Sequence, residues 1–225
     1  MEFEREKLII GDKINILKNK RVLVLGLGGV GGYVTESLAR CGVGSLVLVD
    51  YDTVDITNIN RQIIALHSNI GEKKTNCFKE RLLDINPNIN IMLYDIFYNK
   101  DNKDIIFDAK IDYVIDCCDS LESKKILIEE CFKRNIPIIS SMGTGNKLHP
   151  ELFKITHLSK TEYDPLAKKM RYLFRDNKEI LNKVMVIYSS EKPCEFKGKI
   201  GSISFVPSVA GLMLTSYVIN EFLEN

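Results

Sequence analysis

A short apolar run, Arg21-Val-Leu-Val-Leu25, leads straight into Gly26-Leu-Gly-Gly-Val-Gly-Gly32, and residues 30–41 then carry helical spacing. Strand, glycine turn and helix in that order leave few folds open. Gly26, Gly28 and Gly31 fit the G-x-G-x-x-G spacing. The first permits a tight turn, the second lets phosphate oxygens approach the backbone, and the third lets helix and strand lie close together. Free N–H groups at the helix start attract the phosphate. A second apolar run, residues 45–49, ends at Asp50, about twenty residues past the glycines, where a carboxylate accepts hydrogen bonds from ribose hydroxyls. A glycine turn that only packs a helix is the simpler alternative, and the acid in register speaks against it. The first βαβ unit therefore reads as a Rossmann-type nucleotide site, and this motif alone favours NAD.

The rest of the chain alternates in the same way. Residues 73–84 form an amphipathic helix stopped by Asn86-Pro87, because proline disfavours helical geometry in the residue before it. Strands are expected at 90–93, at 111–116, which is apolar enough to be buried in a parallel sheet, and at 137–142. Between the last two lies a helix over 121–134, capped by Asp119 or Ser120. Gly143-Thr-Gly-Asn146 marks a turn into less regular chain, with strands at 154–157 and 184–189 and one helix over 164–178 that aligns Leu166, Met170, Leu173 and Phe174. Residues 206–223 read as a buried helix rather than a membrane span, since Ser208, Thr215, Ser216 and Asn220 interrupt the apolar run. The expected fold is α/β and Rossmann-like: a largely parallel sheet, helices on both faces and a C-terminal strand-helix extension. No repeat or linker divides it, so one domain over residues 1–225 is the simplest organisation.

A net charge of +1 gives no global nucleic-acid signature, yet Lys147, Lys154, Lys160, Lys168, Lys169, Arg171, Arg175, Lys178 and Lys183 crowd the later part. That stretch is either a solvated helix face or a surface for an anionic polymer. The first seven residues are dense in charge and lack a secretory pattern, so a cytoplasmic protein is expected. None of the six cysteines forms a CxxC pair, which points to reduced thiols and no structural zinc.

Asn58-Ile-Asn-Arg-Gln62 puts a cation where the phosphates of a bound nucleotide should lie. When a carboxylate attacks the α-phosphate of ATP, negative charge builds on that phosphate and on departing pyrophosphate. Fixed cations, and usually Mg²⁺, must answer it. Arg61 follows the second strand and Lys74 opens the next helix, so both converge on the crevice at the carboxyl ends of the strands. Asp119, just beyond the buried fourth strand, is a candidate Mg²⁺ ligand, with Asp116 as a less exposed rival. The plainer alternatives are a loop salt bridge for Arg61, a surface position for Lys74 and a helix cap for Asp119.

Together, Gly26-Leu-Gly-Gly-Val-Gly31, Asp50-Tyr-Asp52, Asn58-Ile-Asn-Arg-Gln62, Lys74 and Asp116-Cys-Cys-Asp-Ser120 resemble the ThiF/MoeB/ubiquitin-activating superfamily of adenylating enzymes. Within it, Asn60-Arg-Gln-Ile-Ile-Ala-Leu66, Asn69-Ile-Gly71, Ile85-Asn-Pro87 and Asp164-Pro-Leu-Ala-Lys-Lys-Met-Arg171 look most like the branch that dehydrates threonylcarbamoyladenosine in tRNA. The resemblance implies ATP and Mg²⁺ as cofactors, with Gly26, Gly28, Gly29, Gly31, Asp50 and Asp52 around the nucleotide. Asp50 would bind ribose, Asn58, Arg61, Gln62 and Lys74 would surround the triphosphate, and Asp119 would hold the metal. Arg61, Lys74 and Asp119 would be the catalytic set. It also implies that Arg5 reaches the phosphates of a partner subunit, hence a homodimer. The implied substrate is tRNA bearing threonylcarbamoyladenosine, and a sulfur-relay protein stays open as a further partner. The zinc-binding CxxC pairs of the sulfur-carrier-activating branches are missing, which disfavours that rival. Thioester-forming relatives use a loop cysteine. Cys194 is the one candidate, and an unreactive thiol is expected because Glu191 and Glu195 oppose thiolate formation while Lys192 and Lys197 favour it. An NAD(P) dehydrogenase or a nucleotide-binding sensor would leave Arg61, Lys74 and Asp119 without a joint purpose.

Overall fold

Valine, leucine and isoleucine fill the central strands on both faces, as a parallel sheet covered on both sides requires. The computed structural model describes residues 2–192, 194, 198 and 200–224. Its elements in chain order are α1 (Glu4–Ile10), α2 (Ile14–Lys18), β1 (Arg21–Leu25), α3 (Gly31–Arg40), β2 (Ser45–Val49), α4 (Lys74–Ile85), β3 (Asn90–Tyr94), β4 (Tyr113–Asp116), α5 (Leu121–Arg134), β5 (Ile138–Ser141), β6 (Phe153–His157), α6 (Pro165–Leu173), α7 (Lys178–Lys183), β7 (Met185–Ser189) and α8 (Phe205–Glu224). The strand order is β3-β2-β1-β4-β5-β7-β6. Every neighbouring pair is parallel except β6 with β7. After β1 the chain moves outward through β2 and β3, then returns to place β4 on the other side of β1. This reversal opens a crevice beyond the carboxyl ends of β1 and β4, where open α/β sheets bind ligands.

One core joins α3, α4 and α8 to the sheet through Val34, Leu38, Phe78 and Leu214. The other joins α5 and α6 to its opposite face through Leu127, Ile128 and Met170. Among the described residues, α8 alone has the length and hydropathy to cross a bilayer. Its residues Val206, Ala210, Leu214, Val218 and Phe222, four apart, are all buried, and Thr215 Oγ1 donates to Gly211 O at 3.2 Å. A Cβ on Gly211 would come within 2.5 Å of Val30 O, so glycine is what lets α8 lie on α3. It is the core helix that its polar interruptions suggested.

The expected helix over 164–178 is in fact two helices, α6 and α7. Asn177 caps α7, its Oδ1 accepting from Ile180 N at 3.1 Å, and this local bond competes with a continuous helix. Met170 and Phe174 are buried, but Leu173 is exposed and so leaves the stripe. The helices α1 and α2 escaped sequence reading because α1 buries none of its residues and carries no apolar period.

Asp116 and Lys124 are completely buried and pair at 2.9 Å. Ser140 Oγ donates to Asp116 at 2.6 Å, and Lys124 Nζ donates to Ser141 O at 2.7 Å. Burial pulls the Lys124 ammonium down, but the adjacent Asp116 carboxylate outweighs it and holds Lys124 above its ordinary value. The group knits β4, β5 and α5 together beneath the crevice. Asp116 is thereby removed as a rival metal ligand.

Candidate active site

The glycine turn shows why its residue types are fixed. Gly26 has φ +88, and a Cβ there would lie 2.8 Å from Cys118 N. At Gly31 a Cβ would come within 1.8 Å of Gly26 O, so this position serves contact between turn and helix. Gly28 is different: its Cβ would meet only Gln62 Nε2 at 3.8 Å, leaving the backbone open to the crevice. Over Gly29 lies the Arg61 stem, 3.5 Å from where a Cβ would stand.

Asp50, at the end of β2, accepts from Leu27 N at 2.6 Å and from Asp52 N at 2.8 Å. Burial raises its carboxyl above the ordinary range, against the opposing charge of Lys74. Each oxygen retains capacity for another hydrogen bond, as ribose binding requires. Lys74 opens α4 with its side chain buried and bonds Asp52 Oδ2 at 2.8 Å, so it is not a surface residue. Arg61 donates to Thr57 O at 2.7 Å and to Asn60 Oδ1 at 2.9 Å. It has no carboxylate partner among the described residues, so its charge is not spent on a loop salt bridge. Asn58 is buried and shapes the turn, accepting from Asp55 N at 3.2 Å. Gln62 lines the same cavity as these residues, its Nε2 3.8 Å from the Gly28 Cβ position, while its Oε1 is buried with no hydrogen-bond partner among the described residues.

Asp119 is exposed and makes no hydrogen bond or ion pair among the described residues. Ser120 caps α5, accepting from Ser123 N at 3.3 Å, which frees Asp119 from that role. The phenol of Tyr51 is raised first by Asp52, then by burial, then by Asp119 and Asp50, so the three acids share one neighbourhood. No group of three or more potential metal ligands exists among the described residues. A single free carboxylate does fit Mg²⁺ that arrives with a nucleotide, since that ion takes one or two carboxylates plus phosphate oxygens.

A cavity of about 310 Å³ is lined by Gly26, Gly28, Gly29, Asp50, Asp52, Asn58, Arg61, Gln62, Lys74 and Asp119. Every expected nucleotide contact meets there except Gly31, which packs the turn, and Arg5. Arg5 is exposed on α1. Its neighbour Phe3 lies 3.5 Å from the Cβ position of Gly42, at the amino end of β2 and so at the opposite edge of the sheet. Sequence reasoning missed Tyr51, Ile96, Phe97, Tyr98 and Ser123, which also line the cavity. Tyr51 and Phe97 meet edge to face at 5.1 Å. The signal was available: Val49 of β2 pairs with Tyr94 of β3, so the residues just past β3 flank Asp50. Cys117 and Cys118 also line it, their thiols pushed up by burial and held protonated.

A second cavity of about 1100 Å³ adjoins the first, sharing Arg61, Asp119, Thr144 and Ser202 and extending along residues 143–147 to Pro165 and Lys169. Here the lysine-rich stretch divides. Lys147 is buried and bonds Ser189 O at 3.3 Å and Glu191 O at 3.1 Å. Arg171 is held by Thr161 O at 2.9 Å, and Lys183 pairs with Glu179. Lys147 and Arg171 are fasteners rather than part of a polymer-binding face, while Lys183 stays exposed in a surface pair. Cys194 lines neither cavity, and its N–H donates to Asn146 O at 2.8 Å. Glu195 and Lys197, which bear on its reactivity, lie outside the described residues.

Comparison with known proteins agrees with this architecture. The chain is 43% identical to the tRNA threonylcarbamoyladenosine dehydratase of Bacillus subtilis (strain 168), covering 100% of this chain and 95% of that protein. With the Escherichia coli (strain K12) dehydratase the identity is 38% over 72% of this chain and 61% of that protein, less than two thirds of its length. The crystal structure of E. coli tRNA N6-threonylcarbamoyladenosine dehydratase, TcdA, in complex with ATP matches with a TM-score of 0.90 at 32% identity, over 97% of this chain and 91% of that one. Its complex with AMP matches at 0.91 and 31%, over 97% and 92%. Residues 5–221 match the ThiF family, and by sequence and fold the chain belongs to it.

Proposed function

We propose that this protein is an ATP-dependent tRNA threonylcarbamoyladenosine dehydratase, acting as one catalytic domain over residues 1–225. The carrying observation is that Arg61, Lys74 and Asp119 line one cavity with the open backbone of Gly28, and that this cavity widens into a second one large enough for a nucleoside. The substrate carboxylate enters from that cavity and attacks the α-phosphorus of ATP. A bond forms from carboxylate oxygen to phosphorus, the α–β bridge breaks, and pyrophosphate leaves. Arg61 and Lys74 stabilise the charge that grows on the phosphates, in a site whose dipoles are already fixed. Asp119 would hold Mg²⁺, which when bound supplies further charge neutralisation at the phosphate oxygens. The carbamoyl group of the same side chain then attacks the acyl carbon and loses a proton, and AMP departs with the former carboxylate oxygen. The net change is loss of water. No protein nucleophile is needed, because the attacking group is already held beside its target. The protonated thiols of Cys117 and Cys118 are consistent with that economy.

The reading implies tRNA as substrate, a cytoplasmic location and a homodimer in which Arg5 serves the partner's nucleotide. The test is pyrophosphate release with modified tRNA, unmodified tRNA and candidate carrier proteins in parallel, with mass analysis of the nucleosides. Release should depend on the threonylcarbamoyl group and accompany its cyclisation. Failure to convert modified tRNA would sink the proposal, and release with a carrier protein ending in Gly-Gly would put the sulfur-carrier rival in its place.

A further inference from the structure

Beside the larger cavity, α6 borders a groove of about 510 Å³ lined by Leu121, Pro165, Lys168, Lys169, Tyr172 and Leu173. Leu121, Pro165 and Lys169 line both spaces, so the groove continues the cleft that would hold the reacting nucleoside. Its floor is apolar, and no acidic residue lines it among the described residues. Tyr172 is 65% exposed and stands beside the exposed Leu173, so its ring is part of a contiguous accessible apolar surface in the groove. The Arg175 guanidinium lies 4.5 Å from its centroid, itself paired with Asp176 at 3.3 Å. Lys168 and Lys169 make no side-chain hydrogen bond or ion pair among the described residues, whereas Lys147 and Lys183 face carboxylates and Arg171 is hydrogen-bonded to Thr161.

We propose that this groove receives the nucleotide adjacent to the reacting one on the same RNA strand, with its base against Tyr172 and the phosphate between the two nucleotides on Lys169. The inference rests on the tRNA reading above. Consecutive nucleotides share one phosphate, and Lys169 is the cation common to the two adjoining spaces. An exposed ring beside a guanidinium offers what splayed-out bases use, a planar cationic surface that tolerates any base. A peptide is a poorer occupant. The groove wall is a helix face whose backbone groups bond internally, so an extended chain finds no ladder to join.

The experiment uses the full chain with threonylcarbamoyl-modified tRNA, intact or carrying an abasic site at either neighbour of the modified nucleoside. Tyr172→Ala should raise KM for intact tRNA about tenfold, the range of one lost base–aromatic stack, with kcat and KM for ATP unchanged. Tyr172→Phe should restore it. One of the two abasic tRNAs should show the same rise with the wild type, and no further rise with Tyr172→Ala. Lys169→Gln should lower the slope of log KM against log salt by about one. Multiplying rather than merged effects of Tyr172→Ala and the abasic site would overturn the proposal, as would an unchanged KM for tRNA. So would a loss seen only with a carrier protein. If the wild type fails to convert intact modified tRNA, the functional reading has failed before the groove is in question.

Discussion

Gly28 and Gly31 are three positions apart in one motif, yet their substitution should fail for different reasons. A methyl at Gly31 would stand 1.8 Å from Gly26 O, a backbone atom that cannot swing aside. Gly31→Ala should cost about 3 kcal/mol or more of stability, visible as a depressed midpoint in urea. At Gly28 the nearest atom is the far end of Gln62 at 3.8 Å. Gly28→Ala should unfold within about 0.5 kcal/mol of wild type and still lose ATP affinity by calorimetry, because the methyl occupies phosphate space. Equal stability losses would refute that division of labour. Lys74 makes a second case. It is buried against Asp52, whose side chain is 44% exposed, so water can reach the acid if the lysine is removed. Lys74→Met should therefore fold and lose about 10²–10³ in kcat for pyrophosphate release, the scale for one preorganised charge-stabilising group. At this scale the cavity lining was legible where a motif falls at a strand end, as at Asp50 and Asp119, or at a helix start, as at Lys74. Gln62 was found, but its orphaned oxygen was invisible, and Tyr51 with Phe97 was missed, because both depend on which loops the folded sheet brings together.

Elements were legible where one periodicity runs between clear stops, and α5 was read to its end residues, Leu121 and Arg134. The α6–α7 break was hidden because its cause, the Asn177 cap, competes with helical spacing that carries on through it. Other determinants are contacts between elements. Glu36 of α3 accepts from Arg81 of α4 at 2.6 Å and from Arg40 at 2.9 Å. Burial pushes its carboxyl up, but the two arginines outweigh this and hold it below the ordinary range. A depressed carboxyl contributes stability that is present above its unfolded pKa and lost as pH falls through the lower folded value. Glu36→Gln should thus destabilise by about 1 kcal/mol at neutral pH, given that Arg40 and Arg81 are partly exposed. Its melting temperature should approach wild type as pH falls below the ordinary glutamate range and converge on it once pH is below the depressed folded value. A gap that persists in acid would mean that packing, not charge, couples α3 to α4.

For the whole molecule, alternation of strand and helix sufficed to give a parallel sheet and a ligand crevice, because right-handed crossovers leave little choice of topology. It could not give the location of α1. That helix lies away from the crevice, with Leu8 and Ile9 respectively 87% and 86% exposed on it. In the homodimer proposed above, a second copy of the chain would cover these two apolar side chains. In that proposed homodimer Arg5 would serve the neighbour's site, while Asp119 would serve its own. The consequence is separable by mixing. Arg5→Ala and Asp119→Ala homodimers should each be nearly inactive. A heterodimer of the two has one site with both residues intact, the one whose Asp119 comes from the Arg5→Ala chain and whose Arg5 comes from the other. Random reassortment makes half the dimers mixed, so the mixture should recover about a quarter of wild-type pyrophosphate release. Recovery should require subunit exchange, abolished by crosslinking each homodimer before mixing. If Arg5 acts within its own chain, both sites of every heterodimer are defective and no activity returns.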